Sequence, residues 1–295
     1  MSKLKTQLIM SYLDLHGRHL TTLEGINFPE DLVELDISFN QLTSLKYCPP
    51  NIKILYGSVN QLTSLEYCPQ NLEELYCDHS QLTSLQYCPQ NLKELCCHNN
   101  QLTSLQYCPL NLQKLSCFYN QITSLQYCPP NLQKLDCSHN QLTSLQYCPE
   151  NLQYLKCTYN QLTSLQYCSN NLQSLYCSNN QLTSLQYCPS DLQELYCYNN
   201  QLTSLLYCPP NLKYLYSNSN NPLSEEYHNK TIREINKINR VKYFRLGLIK
   251  INNLILNHKA SLIQKCWTNY WYKPNDNNES KIGLYYYQQY LNEIN

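Results

Sequence analysis

One eight-residue phrase, Gln-Leu-Thr-Ser-Leu-x-Tyr-Cys, begins at Gln41 and returns at 61, 81, 101, 141, 161, 181 and 201. The copy at 121 carries Ile122 in place of leucine. Nine units of 20 residues run without insertion from Leu32 to Asn211. A looser unit of about 22 residues precedes them with Leu13, Leu15, Leu20 and Leu23, and a failing unit follows with Leu212, Leu215 and Asn220. A fixed period of this length excludes an ordinary globular topology. No unit can bury its apolar face alone, so the units must stack and share one core.

The unit Leu72–Asn91 shows how. Leu75 and Cys77 are apolar two apart, the period of a short strand with one face inward. Leu82, Leu85 and Cys88 are apolar three apart and end at Pro89, a spacing suited to polyproline II or 3-10 turns. Twenty residues holding a strand and two turns leave little room for an α-helix. Strand beside strand at about 4.8 Å, the units should form a curved solenoid with a strand face on the order of 50 Å long.

The pattern LxxLxCxxNxLxxLxxCPxx resembles the leucine-rich repeat, and more narrowly the 20-residue class found in effectors that pathogenic bacteria deliver into host cells. That class carries Leu-Pro-x-Leu-Pro where this chain has Leu85-Gln86-Tyr87-Cys88-Pro89. The resemblance covers residues 10–222. It implies a leucine-rich-repeat solenoid with parallel strands on the concave face, polyproline II or 3-10 turns on the convex side, and a helical C-terminal cap. The expected division is a cap and degenerate repeat at 1–31, repeats at 32–222, and a helical cap or tail at 223–295.

Eighteen cysteines would ordinarily suggest redox or metal chemistry. Sixteen of them fall in two columns, one from Cys48 to Cys208 and one from Cys77 to Cys197, each at a spacing of 20. Both columns stand where the family has leucine, so the thiols read as small buried hydrophobes. Disulfides along a column are the rival reading, since stacked neighbours would lie about 5 Å apart. No CxxC pair occurs, and neither a metal site nor a cofactor is expected.

The Leu, Asn, Gln, Thr-Ser, Tyr and Cys-Pro columns barely change, as stacking demands. Asn40, Asn60 and Asn100 through Asn200 are expected to form a buried amide ladder that satisfies turn backbone. Tyr47, Tyr67 and their successors to Tyr207 read as a second, stacked structural ladder on the opposite side. Variation concentrates beside the strand centre. In the family those columns line the concave face, which implies a partner-binding surface built from Glu74, Tyr76, Asp78, Glu94, His98, Phe118, Tyr119, Asp136, Lys156, Tyr159, Tyr176, Tyr196 and Tyr198. Tyrosine suits such a face because it offers contact area and a polar tip at low entropy cost.

Beyond Asn220 the composition shifts: residues 217–295 hold 11 Lys/Arg and 6 Asp/Glu, a net of +5 within a chain of net charge zero. Pro222, Ser224 and Glu225-Glu226 suit a helix start, with an apolar stripe from Ile232 to Leu248, a second helical stretch from about Lys259 to Tyr272, and a loop at Pro274–Asn278. Capping is the expected role, since an open solenoid end exposes core. Residues Ala260–Trp267 resemble part of a calmodulin-binding IQ motif, but Thr268 and Asn269 break it.

Zero net charge argues against a nucleic-acid partner, and no apolar run is long enough to span a membrane. Five scattered glycines exclude a phosphate-cradling loop. Some effectors of this class end in a ubiquitin-ligase domain with a Cys-x-Asp centre. Here Cys266 is followed by Trp267 and Thr268, so no enzyme is expected. The reading is a monomeric, non-enzymatic protein-binding module of the cytoplasm, or of a host's cytoplasm if the chain is an effector or viral. The Asn-, Tyr-, Ile- and Lys-rich composition fits an AT-rich genome such as that of a giant DNA virus of amoebae. The alternative is a structural or particle-associated repeat protein without a dedicated ligand.

Overall fold

The computed structural model describes residues 11–271 apart from 218 and 220. Each repeat contributes one three-residue strand. β1 (Tyr12–Asp14) and β2 (Glu34–Asp36) are followed by one strand every 20 residues from β3 (Ile54–Tyr56) to β11 (Tyr214–Tyr216). All 11 form one parallel sheet in strict sequence order. Register follows the repeat, so that Glu74 pairs with Glu94, Leu75 with Leu95 and Tyr76 with Cys96. A residue therefore lies beside its counterpart 20 positions away, and a column in the sequence is a row in space.

The core is the set of leucines and cysteines that the period predicts. Leu72, Leu75, Cys77, Leu82 and Leu85 are fully buried and Cys88 is 2% exposed, and the same columns repeat along the array. The 17 described cysteines are unpaired thiols. Burial raises the pKa of every one of the 16 column thiols: Cys48 and Cys108 are pushed up to about 12, and Cys77, Cys97 and Cys117 stay protonated well above the usual range.

The amide ladder is present. Asn140 is typical: its Oδ1 accepts the Ile122 N–H at 2.8 Å, and its Nδ2 donates to Cys117 O, Cys137 O and Ser138 O at 3.0–3.1 Å. Each asparagine thus ties its own turn to the preceding coil. At the last coil Asn221 fills the place, donating to Cys197 O and Ser217 O and accepting from Leu202 N–H. Ser80 is the one substitution inside the ladder. Its Oγ is buried without a partner, and Leu62 N–H has no acceptor. Ser80→Asn restores that acceptor and should stabilise the fold by about 1–2 kcal/mol, read as a raised midpoint in urea with unchanged slope.

The connection after each core leucine is a tight turn. Cys88 N–H donates to Leu85 O at 2.9 Å, and Tyr87 has φ +67°. Positive φ at the third residue alone is the type II geometry, whose second residue is polyproline II-like, so of the two forms expected here the bend is not the 3-10 one. The tyrosine column occupies that position from Tyr47 to Tyr187. Its rings are about half exposed, and from Tyr67 to Tyr167 no ring stacks on the next. The expected stacked ladder is therefore absent there, because the left-handed turn points these side chains outward.

The array is closed by a 3-10 turn, Glu225–Tyr227, whose Tyr227 is fully buried and meets Ser204 Oγ through its hydroxyl at 3.3 Å. Helix α1 (Ile232–Trp271) follows. It starts at a capping box that the sequence reading missed: Thr231 Oγ1 accepts Glu234 N–H, while Glu234 Oε2 accepts Thr231 N–H at 2.9 Å. Ile235 is buried and Asn236 Nδ2 donates to Pro210 O. The chain divides into two compact units, Met1–Asn236 and Lys237–Asn295. In the second, α1 continues without a break through residues 251–258, where two separate helices were expected. That stretch has neither proline nor glycine to interrupt it. The expected loop at 274–278 and the side chains of half of the IQ-like segment lie outside the described residues. Among the described residues no helix is long and apolar enough to cross a membrane.

Candidate functional site

With the central leucine of β2 to β10 buried, the residues on either side of it form the outer face of the sheet. The C-terminal strand position holds Tyr56, Tyr76, Cys96, Ser116, Asp136, Lys156, Tyr176, Tyr196 and Tyr216 in consecutive strands. The N-terminal position holds Glu74, Glu94, Lys114, Lys134, Tyr154, Ser174, Glu194 and Tyr214. Parallel register stacks like on like. Tyr176, Tyr196 and Tyr216 lie ring on ring at 4.4 Å between centroids, and Tyr56 stacks on Tyr76 at 5.0 Å.

Charges fill the middle. Lys114 Nζ reaches Glu94 at 2.6 Å, Lys156 Nζ stands 3.8 Å from Asp136, and the same ammonium lies over the rings of Tyr154 and Tyr176. The Tyr176 hydroxyl donates to Glu194 Oε2 at 3.1 Å; partial burial and this carboxylate raise its pKa to about 12. Tyr76 donates to Glu74 at the other end. The tyrosines are thus held in place by stacking and by acids, leaving broad ring edges at the surface.

Of the residues expected to form the site, Glu74, Tyr76, Glu94, Asp136, Lys156, Tyr176 and Tyr196 share this face. Asp78, His98, Phe118 and Tyr198 follow the buried cysteine, beyond the three-residue strands. Tyr119 and Tyr159 lie one residue further, where the backbone turns left-handed at φ 49° and 53°. Both columns fall past the C-terminal end of the strands. They are the start of the turn that the amide ladder closes.

These two columns build a continuous aromatic file along the edge of the sheet. His98 stacks on Phe118 at 4.0 Å, Phe118 meets Tyr119 edge-on, and Tyr119, His139 and Tyr159 stack at 3.9 and 4.1 Å. Burial lowers the pKa of His98 and His139, favouring neutral rings that stack. At the N-terminal end of the file His79 meets His98 edge-on, and both face Asp78. His139 and His79 were absent from the expected set. The signal for His79 was in the sequence: Asp78-His79 stands one repeat before His98, which a 20-residue register makes a spatial neighbour.

Two stretches, residues 110–147 and 170–209, match the family model described as Leucine Rich repeats (2 copies). No curated protein sequence matches the chain significantly. Among solved structures, the chain is similar to YopM from Yersinia enterocolitica WA-314, with 32% identity over 68% of this chain and 49% of that one, at a TM-score of 0.56. It is also similar to YopM of Yersinia pestis, a leucine-rich effector protein, with 28% identity over 65% of this chain and 61% of that one, at a TM-score of 0.56. An internalin (inlF) of Listeria monocytogenes has the same fold, with 22% identity over 72% of this chain and 68% of that one, at a TM-score of 0.66. The match thus spans about half the length of the first of these proteins and less than two thirds of the second.

Proposed function

The chain being a leucine-rich-repeat solenoid, we propose that it is a non-enzymatic protein-interaction module that holds its partner on the outer face of the sheet, the concave face of the family. The observation that carries this reading is the contrast between columns. The leucine, core-cysteine and asparagine columns that build the interior are nearly invariant, whereas the columns beside the strand centre change from repeat to repeat among tyrosine, histidine, acid and lysine. A repeat selected for stacking alone would have no need of tyrosine rows at both ends and paired charges between them. Rigid tyrosines already ordered by stacking lose little entropy on binding.

The similarity to a Yersinia effector supports action inside a host cell. Unpaired thiols suit a reducing compartment such as the cytoplasm. Zero net charge supports a protein partner over nucleic acid, and a single chain carries the whole face, so a monomer is sufficient.

The test is quantitative capture from a candidate host lysate by the wild type and by the triple variant Tyr176→Ala, Tyr196→Ala, Tyr198→Ala. The variant should lose at least about tenfold of a saturable partner, since buried tyrosines dominate such interfaces. Its thermal unfolding must still show one folded array. Equal capture by both proteins would remove the sheet face as the binding site and favour a repeat body without a dedicated ligand.

A further inference from the structure

We propose that Asp78 Oδ2, His79 Nδ1 and His98 Nε2 form a three-ligand site for a divalent transition-metal ion of the zinc class, with the remaining position left to water. The three groups come from two adjacent coils and converge. His79 Nδ1 lies 3.1 Å and His98 Nε2 3.5 Å from the same oxygen of Asp78, and all three ligand atoms fall within 4.8 Å of one another. In a tetrahedral zinc site with ligands at about 2.0–2.1 Å, neighbouring ligand atoms are about 3.3 Å apart. The two separations from Asp78 bracket that edge, and the third pair, the two ring nitrogens, lies within 4.8 Å. Two imidazoles and one carboxylate are also a donor set that suits zinc and its neighbours and does not suit magnesium or calcium.

The surroundings resemble an outer shell. The second oxygen of Asp78 accepts a hydrogen bond from Ser58 Oγ at 2.6 Å, which turns Oδ2 toward the rings. The far nitrogen of His98, Nδ1, is within 2.8 Å of the Asn99 side-chain amide, and the ring is held flat against Phe118. It is Asn99 Nδ2 that faces Nδ1; turning the amide over brings its oxygen to Nδ1–H and leaves the Nε2 lone pair for the ion, the arrangement that metal-bound histidines adopt. An ion placed here takes the positions of the protons that the two ring nitrogens share with Asp78; each ring then carries its single proton on its other nitrogen and binds as neutral imidazole. The side chains of Asp78 and His98 are 13% and 17% exposed while that of His79 is 51% exposed, so the site has a firm floor and an open side. Among the described residues this is the one group of three such ligands.

The site does not depend on the protein-binding reading, and it can be tested with no partner present. Zn2+ alone is titrated calorimetrically into the reduced full chain, followed by Co2+ as a spectroscopic stand-in. One equivalent should bind, and the cobalt spectrum should show nitrogen–oxygen d–d bands without intense sulfur-to-metal charge transfer. His98→Ala should weaken Zn2+ binding by at least about 100-fold, beyond the 10–100-fold that loss of an outer-shell partner costs. His79→Ala should do the same, and its exposed ring can be removed without threatening the fold. Tyr159→Ala, at the far end of the aromatic file, should change nothing. Equal binding by wild type and His79→Ala, absence of binding at millimolar Zn2+, or a strong sulfur charge-transfer band assigning the metal to cysteine would each overturn the proposal.

Discussion

Asn140→Ala is expected to destabilise the solenoid by about 3–4 kcal/mol, more than most surface or boundary substitutions in a chain of this size. The amide makes four contacts that no other group can replace. Its oxygen is the acceptor for Ile122 N–H, and its nitrogen bridges Cys117 O, Cys137 O and Ser138 O. The carbonyls of Cys117 and Cys137 keep one partner each, from Asn120 and Asn160. The Ile122 N–H keeps none, and a stranded buried donor costs about 1–3 kcal/mol before the lost amide bonds are counted. At roughly 2–4 °C per kcal/mol the melting temperature should fall by about 10 °C.

Asn140→Asp separates the donor from the acceptor. It keeps an oxygen for Ile122 and turns the other against three carbonyl oxygens in a dry site, so at neutral pH it should be worse than alanine. An alanine variant that melts with the wild type would show that the ladder does not bear stability. Ser80 shows that one vacancy is survivable, because solenoid stability is a sum over units and interfaces.

What could be read before folding follows from the same arithmetic. A column of leucine or cysteine that never changes can only be core, and Leu75, Cys77, Leu82 and Leu85 are where the period puts them. The amide ladder was legible because asparagine has the donors and acceptor that a turn requires. The left-handed residues were not. Tyr87, His79 and Tyr119 carry positive φ where glycine or asparagine would have announced it, and tyrosine gives no such sign.

The ring file along the sheet edge was hidden for a related reason. It passes from one column to its neighbour between Phe118 and Tyr119, so no single column displays it. Asp78 and His98 stood among the expected surface residues and His79 did not, and a search for close cysteine pairs looks for ligands along the chain. These ligands meet across the register of Glu74 with Glu94. In the C-terminal segment, apolar spacing found helix but not its limits. Thr231-Ile232-Arg233-Glu234 held the true start.

Raising the pH should unfold this protein within about one unit above the titration of free thiols, between about pH 9 and 10, far more steeply than tyrosine or lysine titration alone would produce. The sign follows from the direction of the shifts. Burial holds the column thiols protonated in the folded state, with Cys48, Cys177 and Cys208 pushed up to about 12, Cys148 to about 11, and Cys137, Cys157 and Cys197 raised well above the usual thiol range. Below the unfolded thiol pKa, about 8.5, both states keep their protons and stability is at its full value. Above it the unfolded chain releases protons that the folded chain retains, so the unfolded state binds fewer and stability falls as pH rises toward the folded values.

Each such thiol removes about 1.4 kcal/mol per pH unit. The 16 in the two columns together reach roughly 20 kcal/mol per unit, which exceeds the whole stability of a typical domain. Circular dichroism followed against pH, in the presence of reductant, measures the midpoint and the steepness. Cys137→Val, Cys157→Val and Cys177→Val in one chain remove three of the titrating groups and should make the transition visibly shallower, which a tyrosine-driven transition would not show. A protein that remains folded through pH 11 would mean that its cysteines are not buried thiols, and the core would have to be rebuilt around disulfides.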